Sequence, residues 1–150
     1  SAKGGGLKQM LPPFRLGVGG PLGGGRQWLS WVALDDVAAA LAHALAHESL
    51  RGAVNVVAPN PVTNKEFTRL LGHVLGRPTA LPMPGFAVRA LFGEMGEELL
   101  LASQRVSSKK LQESGFAFTY PSLEGALRHL LIEPAAAAPA PAPAARAHAP

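Results

Sequence analysis

Cysteine is absent from this 150-residue chain, and long apolar runs are absent as well. Without cysteine the chain forms no disulfide, binds no metal through thiolate and performs no thiol catalysis. The absence of cysteine fits a reducing compartment, and we expect the cytoplasm. No apolar run approaches the roughly 20 residues needed to span a bilayer, so we expect no membrane partner.

Aromatic residues and clustered positive charge are also scarce. The 14 Lys and Arg residues are scattered, and only Lys109 and Lys110 are adjacent. The one Tyr, two Trp and six Phe do not alternate with a basic stripe, so no stacking platform for single strands follows from their spacing. Despite the net charge of +4, we therefore expect no nucleic-acid partner.

The hydrophobic content of 47% against 16% charged residues is enough for a folded domain, which we place at residues 1–133. From Pro134 onward the chain is almost entirely Ala and Pro, and we expect residues 134–150 to be a disordered tail. Residues 1–27 are rich in glycine, and the two prolines in Met10–Phe14 favour a loop over a helix. This long loop is either a lid over a binding site or a flexible end.

Hydrophobic periodicity predicts an α/β succession of short strands and helices. Trp28–Leu34 reads as a strand, and Asp35 or Asp36 caps a helix running to about His47. A buried strand is expected at Ala53–Val57. Thr63 and Glu66 fit a capping box that begins a helix ending at Gly76. The later predictions are helices at 86–92 and 97–102, a strand at 104–106, a helix from Ser107 or Ser108 through Glu113, a strand at 116–120 and a last helix from Ser122.

Three motifs that suggest ligand chemistry are incomplete. Gly20–Gln27 has the glycine spacing of a P-loop, but Arg26 and Gln27 replace the Lys and the hydroxyl residue, so a glycine turn before a strand is favoured. No glycine-rich turn lies between a strand and a helix as the dinucleotide fingerprint requires. His43 and His47 could share a helix face, but no third metal ligand is placed, which favours solvated or core-edge histidines.

The segment from Gly23 to Asp36 resembles the pattern Gly, any, Gly, any, Gln, any, Arg, any, aromatic, Val or Ile, His, Val, any, Asp of extended short-chain dehydrogenase/reductases. The positions in register are Gly23, Gly25, Gln27, Trp31, Val32, Leu34 and Asp36. Residues 108–116 and 122–127 resemble the closing segment of that family. Residues 10–17, 26–28, 61–67 and 75–78 are similar to a sugar-nucleotide-epimerase-like subgroup whose C-terminal region is a domain of unknown function.

The resemblance implies a C-terminal fragment of a Rossmann-like extended reductase, made mostly of the smaller α+β substrate domain plus late sheet elements. Substrate contacts are then expected at Met10, Phe14, Arg26, Gln27 and Trp31. For Arg26 and Gln27 the alternative is a solvated turn, and for Trp31 it is a core position. The implied substrate is a small molecule of the nucleotide-sugar kind. However, Leu29 replaces the Arg that serves the diphosphate in relatives, and Ala33 replaces the His.

The family also implies NAD or NADP as cofactor of the parent protein. Its chemistry uses a Tyr followed four positions later by a Lys, which lowers the phenol pKa. The only tyrosine here is Tyr120, and Glu124 stands at the fourth position after it. We therefore expect no catalytic residues, no catalysis and no cofactor binding by this chain alone. The alternative function is a non-catalytic interaction module that pairs with a separate partner chain.

Overall fold

The computed structural model describes residues 5–79, 82 and 102–132, and over these it has an α/β architecture with one small sheet. Its elements are α1 Gly5–Arg15, β1 Trp28–Leu29, α2 Leu34–Ala46, β2 Val62–Thr63, α3 Asn64–Leu75, α4 Lys109–Glu113 and α5 Leu123–Leu131. Strands β1 and β2 are antiparallel, with Trp28 opposite Thr63 and Leu29 opposite Val62. The helices expected at 86–92 and 97–102, apart from Ala102, and the tail at 134–150 lie outside the described residues.

Helix α1 contradicts the predicted loop at Met10–Phe14, although Pro12 and Pro13 lie inside it. Leu7, Met10, Leu11 and Phe14 recur at helical spacing and pack into the main core. Burial of this face outweighs the loss of the two backbone hydrogen bonds that N–H groups at positions 12 and 13 would otherwise donate to the carbonyls of residues 8 and 9. Gly17, at φ 75°, then reverses the chain. The predicted lid loop therefore contains a docked helix.

Helix α3 begins and ends as the sequence predicts. The Thr63 hydroxyl accepts from the Glu66 N–H, and the Glu66 carboxylate accepts from the Thr63 N–H, which completes the capping box. Gly76 ends the helix in the left-handed conformation, at φ 63°. The buried side of α3 joins α1 and α5 in the main core, whose buried members are Met10, Leu11, Phe14, Phe67, Leu71, Val74, Leu123 and Leu127.

A second core cluster forms where α2 meets α4. Ala40, Leu111 and Phe116 are its buried members, with Val54 and Val56 packed against them. The strand predicted at Ala53–Val57 is wrong for the described residues: the segment makes no backbone–backbone hydrogen bond to another described segment, and its first carbonyl, Ala53 O, accepts from the Lys110 ammonium. A strand exists only where a neighbour pairs with it. The prediction thus captured the apolar pattern and missed the absence of a pairing partner among the described residues.

Of the other predicted strands, one is shorter than expected, and the other segments bond to side chains and not to a neighbouring strand in a ladder. Of the strand predicted at residues 28–34, only Trp28–Leu29 is paired, because β2 has only two residues to pair with it. Residues 104–106 run beside this segment through the Ser30 hydroxyl, which donates to Gln104 O and accepts from Val106 N–H. Residues 116–120 form no strand, because the N–H groups of Thr119 and Tyr120 donate to a carboxylate instead of a neighbouring strand.

That carboxylate belongs to Asp36. The prediction that Asp35 or Asp36 caps α2 is wrong. Ala33 occupies the cap position and makes no side-chain cap bond. Asp36 is completely buried within the first turn of α2 and accepts from Thr119 N–H at 2.7 Å and Tyr120 N–H at 3.1 Å. These two hydrogen bonds satisfy the buried charge and join α2 to the loop that leads into α5. Ser122 caps α5 as predicted, by accepting from Gly125 N–H.

Loss of the Asp36 carboxylate should destabilise the fold. We expect Asp36→Ala to lower the free energy of unfolding by about 2 to 4 kcal/mol, because two part-buried donors lose their acceptor. Asp36→Asn should cost less, since one oxygen remains. Asp35→Asn is the matched control, because Asp35 is exposed, and it should cost below about 1 kcal/mol. Urea denaturation measures all three variants; equal costs for Asp36→Ala and Asp35→Asn would refute this role.

The capping box predicts a specific loss of stability in acid. Hydrogen bonds from the backbone N–H and then the hydroxyl of Thr63 hold the pKa of Glu66 below its ordinary 4.5. A lowered folded-state pKa contributes stability that is present above 4.5 and is lost as the pH falls through the folded-state pKa. We therefore expect the stability difference between wild type and Glu66→Gln to shrink between pH 6 and about pH 3. A difference that is independent of pH in denaturation curves would contradict this.

Candidate functional site

The glycine turn at residues 22–27 is fixed on the N-terminus of α3. Asn64 N–H donates to Gln27 O and Lys65 N–H donates to Gly25 O, each at 2.9 Å. The Asn64 side chain is fully buried and accepts from Leu22 N–H at 2.8 Å. The first free N–H groups of a helix normally need such partners or an anion. Here carbonyls of the turn occupy them, so an anion would have to be bound by side chains.

Arg26 and Gln27, both predicted to bind substrate, point to different surroundings. The Gln27 side chain is half-buried and donates from Nε2 to Leu22 O at 3.1 Å, which braces the turn. Arg26 is exposed. Gly25 lies at φ 66°, and a Cβ there would come 3.2 Å from Lys65 Cβ. The turn therefore carries Arg26 on its outside and lies directly against Lys65.

The two tryptophans have different environments, as expected for residues three apart in an extended segment. Trp28 lies under the guanidinium of Arg105, with 4.5 Å from the carbon to the ring centroid, a cation–π geometry. Trp31 is half-buried, packs against the main core and donates from its indole nitrogen to Asn60 O at 2.9 Å. No sequence pattern indicates Arg105, because its contact with Trp28 joins two segments that are far apart in the chain.

Met10 and Phe14 lie beneath this surface. They are 7% and 3% exposed and belong to the same core cluster against which Trp31 packs. The structure therefore brings Met10, Phe14 and Trp31 into one apolar cluster, while Arg26 and Gln27 belong to the turn. As the structure stands, a ligand on this surface would reach Trp31 before it reached Met10 or Phe14.

A small apolar cavity opens beside Trp31. Its volume is about 100 Å³. Its walls come from α1, the segment after β1, α3 and α5, and the lining residues are Leu7, Trp31, Val32, Ala33, Phe67, Leu123, Ala126, Leu127 and Leu130. Pockets for ligands of ordinary size are roughly 300 to 1,000 Å³. The cavity can accept an apolar group but not a whole sugar nucleotide.

The histidine pair on α2 is used for packing. The rings of His43 and His47 stack with centroids 3.7 Å apart, and His43 Nε2 lies 2.9 Å from the Ser114 hydroxyl. His47 Nδ1 donates to the His43 carbonyl. Within the described residues, no three side chains of metal-binding type are grouped so that they could hold an ion.

The tyrosine considered for catalysis also has structural neighbours. The Tyr120 ring stacks on His129 at 4.6 Å, and His129 Nε2 lies 3.2 Å from the Asp35 carboxylate. Glu124, the residue four positions after Tyr120, accepts from Arg128 at 2.9 Å. The contact between His129 and Asp35 joins α5 to α2.

Comparison with known proteins defines the class. Residues 83–130 match the family model described as a domain of unknown function, DUF1731. An epimerase family protein of Mycobacterium bovis is 44% identical over 134 residues, which cover 89% of this chain and 44% of that protein. The chain is therefore similar to epimerase family proteins of the short-chain dehydrogenase/reductase type, which confirms the resemblance found in the sequence.

Two solved structures are similar to this chain. Human epimerase family protein SDR39U1 (isoform 2), described as a crystal structure with NADPH, matches with a TM-score of 0.77 and 40% identity over 84% of this chain and 43% of that one. The nucleoside-diphosphate sugar epimerase of Corynebacterium glutamicum matches with a TM-score of 0.61 and 32% identity over 86% and 23%. The chain thus spans less than half the length of these relatives. None of the helices that the structure describes is long and apolar enough to cross a membrane.

Proposed function

We propose that this chain is the substrate-binding portion of an NAD(P)-dependent epimerase or oxidoreductase-like protein. Proton transfer and cofactor binding would come from residues outside the chain. Support comes from the similarity to SDR39U1, whose structure is described with NADPH, and from the missing Tyr–Lys pair here. The observation that carries the proposal is the braced glycine turn with Arg26 on its outer side.

The chemistry of the turn favours an anionic group on the substrate. The helix N–H groups behind the turn already bond to its carbonyls, so they offer little to an anion. Arg26 is exposed and Lys65 lies against the turn, and both carry positive charge. A guanidinium gives a phosphate or carboxylate two parallel hydrogen bonds. Arg26 could therefore serve the anion that an Arg at the Leu29 position serves in relatives.

The remaining predicted site residues have supporting roles in this proposal. Trp31 forms the wall of the apolar cavity, with Met10 and Phe14 in the core behind it. Gln27 keeps the turn rigid through its bond to Leu22 O. The substrate would then place an apolar or sugar face on Trp31 and its anion near Arg26. Cytoplasmic location stays a prediction, as does the use of NAD or NADP by the parent protein.

The alternative function is a non-catalytic module that pairs with another polypeptide. One observation favours it: α2 exposes a row of leucines that a self-sufficient domain would bury. The two functions differ in cofactor use. In the proposed function an assembly with the cofactor-binding portion binds NADPH and the ligand of the turn, whereas a simple interaction module does neither.

Arg26 provides the direct test. We expect UDP, added as an anionic probe, to shift the amide signals of residues 23–27 in NMR titrations. Arg26→Ala should weaken this binding by about 10- to 100-fold, the effect of losing charge-assisted hydrogen bonds worth about 1.5 to 3 kcal/mol. Arg77→Ala is the matched control, an exposed arginine just beyond the opposite end of α3.

Calorimetry should show no NADPH binding by the chain alone. Two outcomes would overturn the proposal. Equal UDP affinity for wild type and Arg26→Ala would remove the role of the turn, and NADPH binding by this chain at the affinity of a complete family member would remove the division between cofactor and substrate portions.

A further inference from the structure

Two buried polar atoms of α3 have no hydrogen-bond partner among the described residues. They are Nδ2 of Asn64 and Oγ1 of Thr68. The two residues are 0% and 1% exposed, so bulk solvent does not reach either side chain. A polar group buried without a partner costs free energy, and most such groups in folded proteins are bonded to protein or to ordered water. The two atoms therefore indicate a bound partner.

Asn64 and Thr68 lie on one side of α3. Residues four apart on a helix are neighbours on the same face, so the amide nitrogen and the hydroxyl can contact one small molecule. The orientation of the Asn64 amide is fixed, because its oxygen accepts from Leu22 N–H at 2.8 Å and a flipped amide would turn a donor toward that N–H. Asn64 thus holds the glycine turn with its oxygen and offers its nitrogen to the site.

The chemistry of this pair favours water over an ion. The nitrogen of Asn64 only donates, whereas the hydroxyl of Thr68 both donates and accepts. A water molecule can accept from Asn64 and bond to Thr68 in either sense, and internal waters typically make about three hydrogen bonds. Neither side chain is charged, so an ion would lose its hydration without compensation. Complete burial also keeps out a larger hydroxyl compound.

We propose that Asn64 Nδ2 and Thr68 Oγ1 bind an internal water, and that this water supports the glycine turn at residues 22–27. Asn64 is the link, because the water fixes its amide and the amide oxygen holds Leu22 N–H. Thr68 is a positioning residue, which acts on the turn through the water and Asn64. The inference goes beyond the proposed function, since it requires neither substrate nor cofactor.

The sign of a stability change separates a bound water from an unpaired hydroxyl. Thr68→Val keeps the shape of the side chain and removes its hydroxyl. With a bound water, the variant loses a hydrogen bond, and its urea midpoint should fall by about 0.3 to 0.7 M. Without the water, a methyl group replaces an unpaired hydroxyl, and the midpoint should rise. Thr119→Val is the matched control at an exposed threonine, and its midpoint should stay within about 0.2 M of wild type.

Nuclear Overhauser spectra locate the water directly. In the wild-type chain we expect cross-peaks between water and the side-chain amide protons of Asn64, with the sign of a long-lived water. Thr68→Ser keeps the hydroxyl and should keep the cross-peak, although it removes a buried methyl group. In Thr68→Val the cross-peak should weaken. The Leu22 amide should then exchange faster relative to Leu71 in the middle of α3, because its acceptor is held less firmly.

Three results would overturn the inference. A wild-type chain without a water cross-peak at Asn64 has no long-lived water there. A midpoint that Thr68→Val raises or leaves unchanged shows an unpaired hydroxyl, and any cross-peak would then come from the hydroxyl proton. A Leu22 exchange rate that Thr68→Val leaves unchanged relative to Leu71 would contradict the support of the glycine turn by the water.

Discussion

The N-terminus of α3 is the constraint on which the rest of the described structure depends. Its first N–H groups take carbonyls from the glycine turn, and the Thr63 and Glu66 side chains complete the cap. The same point carries the antiparallel pair of Trp28 and Thr63. One helix end thus determines the position of the glycine turn and the start of the small sheet, from which the chain continues to Trp31.

This arrangement decides which kind of ligand chemistry is available. Glycine-rich turns before helices often bind phosphate through free N–H groups and the helix dipole. In this chain the turn precedes a strand, and the helix that receives it is α3, more than 35 residues further on. Its first two N–H groups donate to carbonyls of the turn, and the N–H of Glu66 donates to the Thr63 hydroxyl. Any anion must therefore be recognised by side-chain charge, which makes Arg26 more important than the glycines around it.

Local signals were the most predictable from sequence. The capping box at Thr63 and Glu66 and the glycine at 76 depend on neighbours within a few residues, and each was predicted. Helix α1 was missed because the local cost of two prolines was weighed without the burial of Met10 and Phe14, which long-range packing supplies. Asp36 was assigned to the nearest helix end, whereas its partners lie more than 80 residues away.

The candidate site follows the same division. The family pattern located the turn and Trp31, because those positions are close together in the chain. Sequence could not show that Asn64 clamps the turn or that Arg105 covers Trp28, since both contacts join distant segments. The strands at 53–57 and 116–120 were predicted from their side chains, but a strand is defined by its neighbours. Segment 53–57 finds no pairing partner among the described residues, and the N–H groups at 119 and 120 bond to Asp36.

Hydrogen exchange of the Asn64 and Lys65 amides tests the central claim most directly, namely that α3 holds the glycine turn in place. If the turn carbonyls accept these N–H groups, both amides should be protected to about the level of Leu71 in the middle of α3 and should exchange only with global unfolding. Exchange of both amides at the rate of an unstructured peptide, while Leu71 stays protected, would contradict the account.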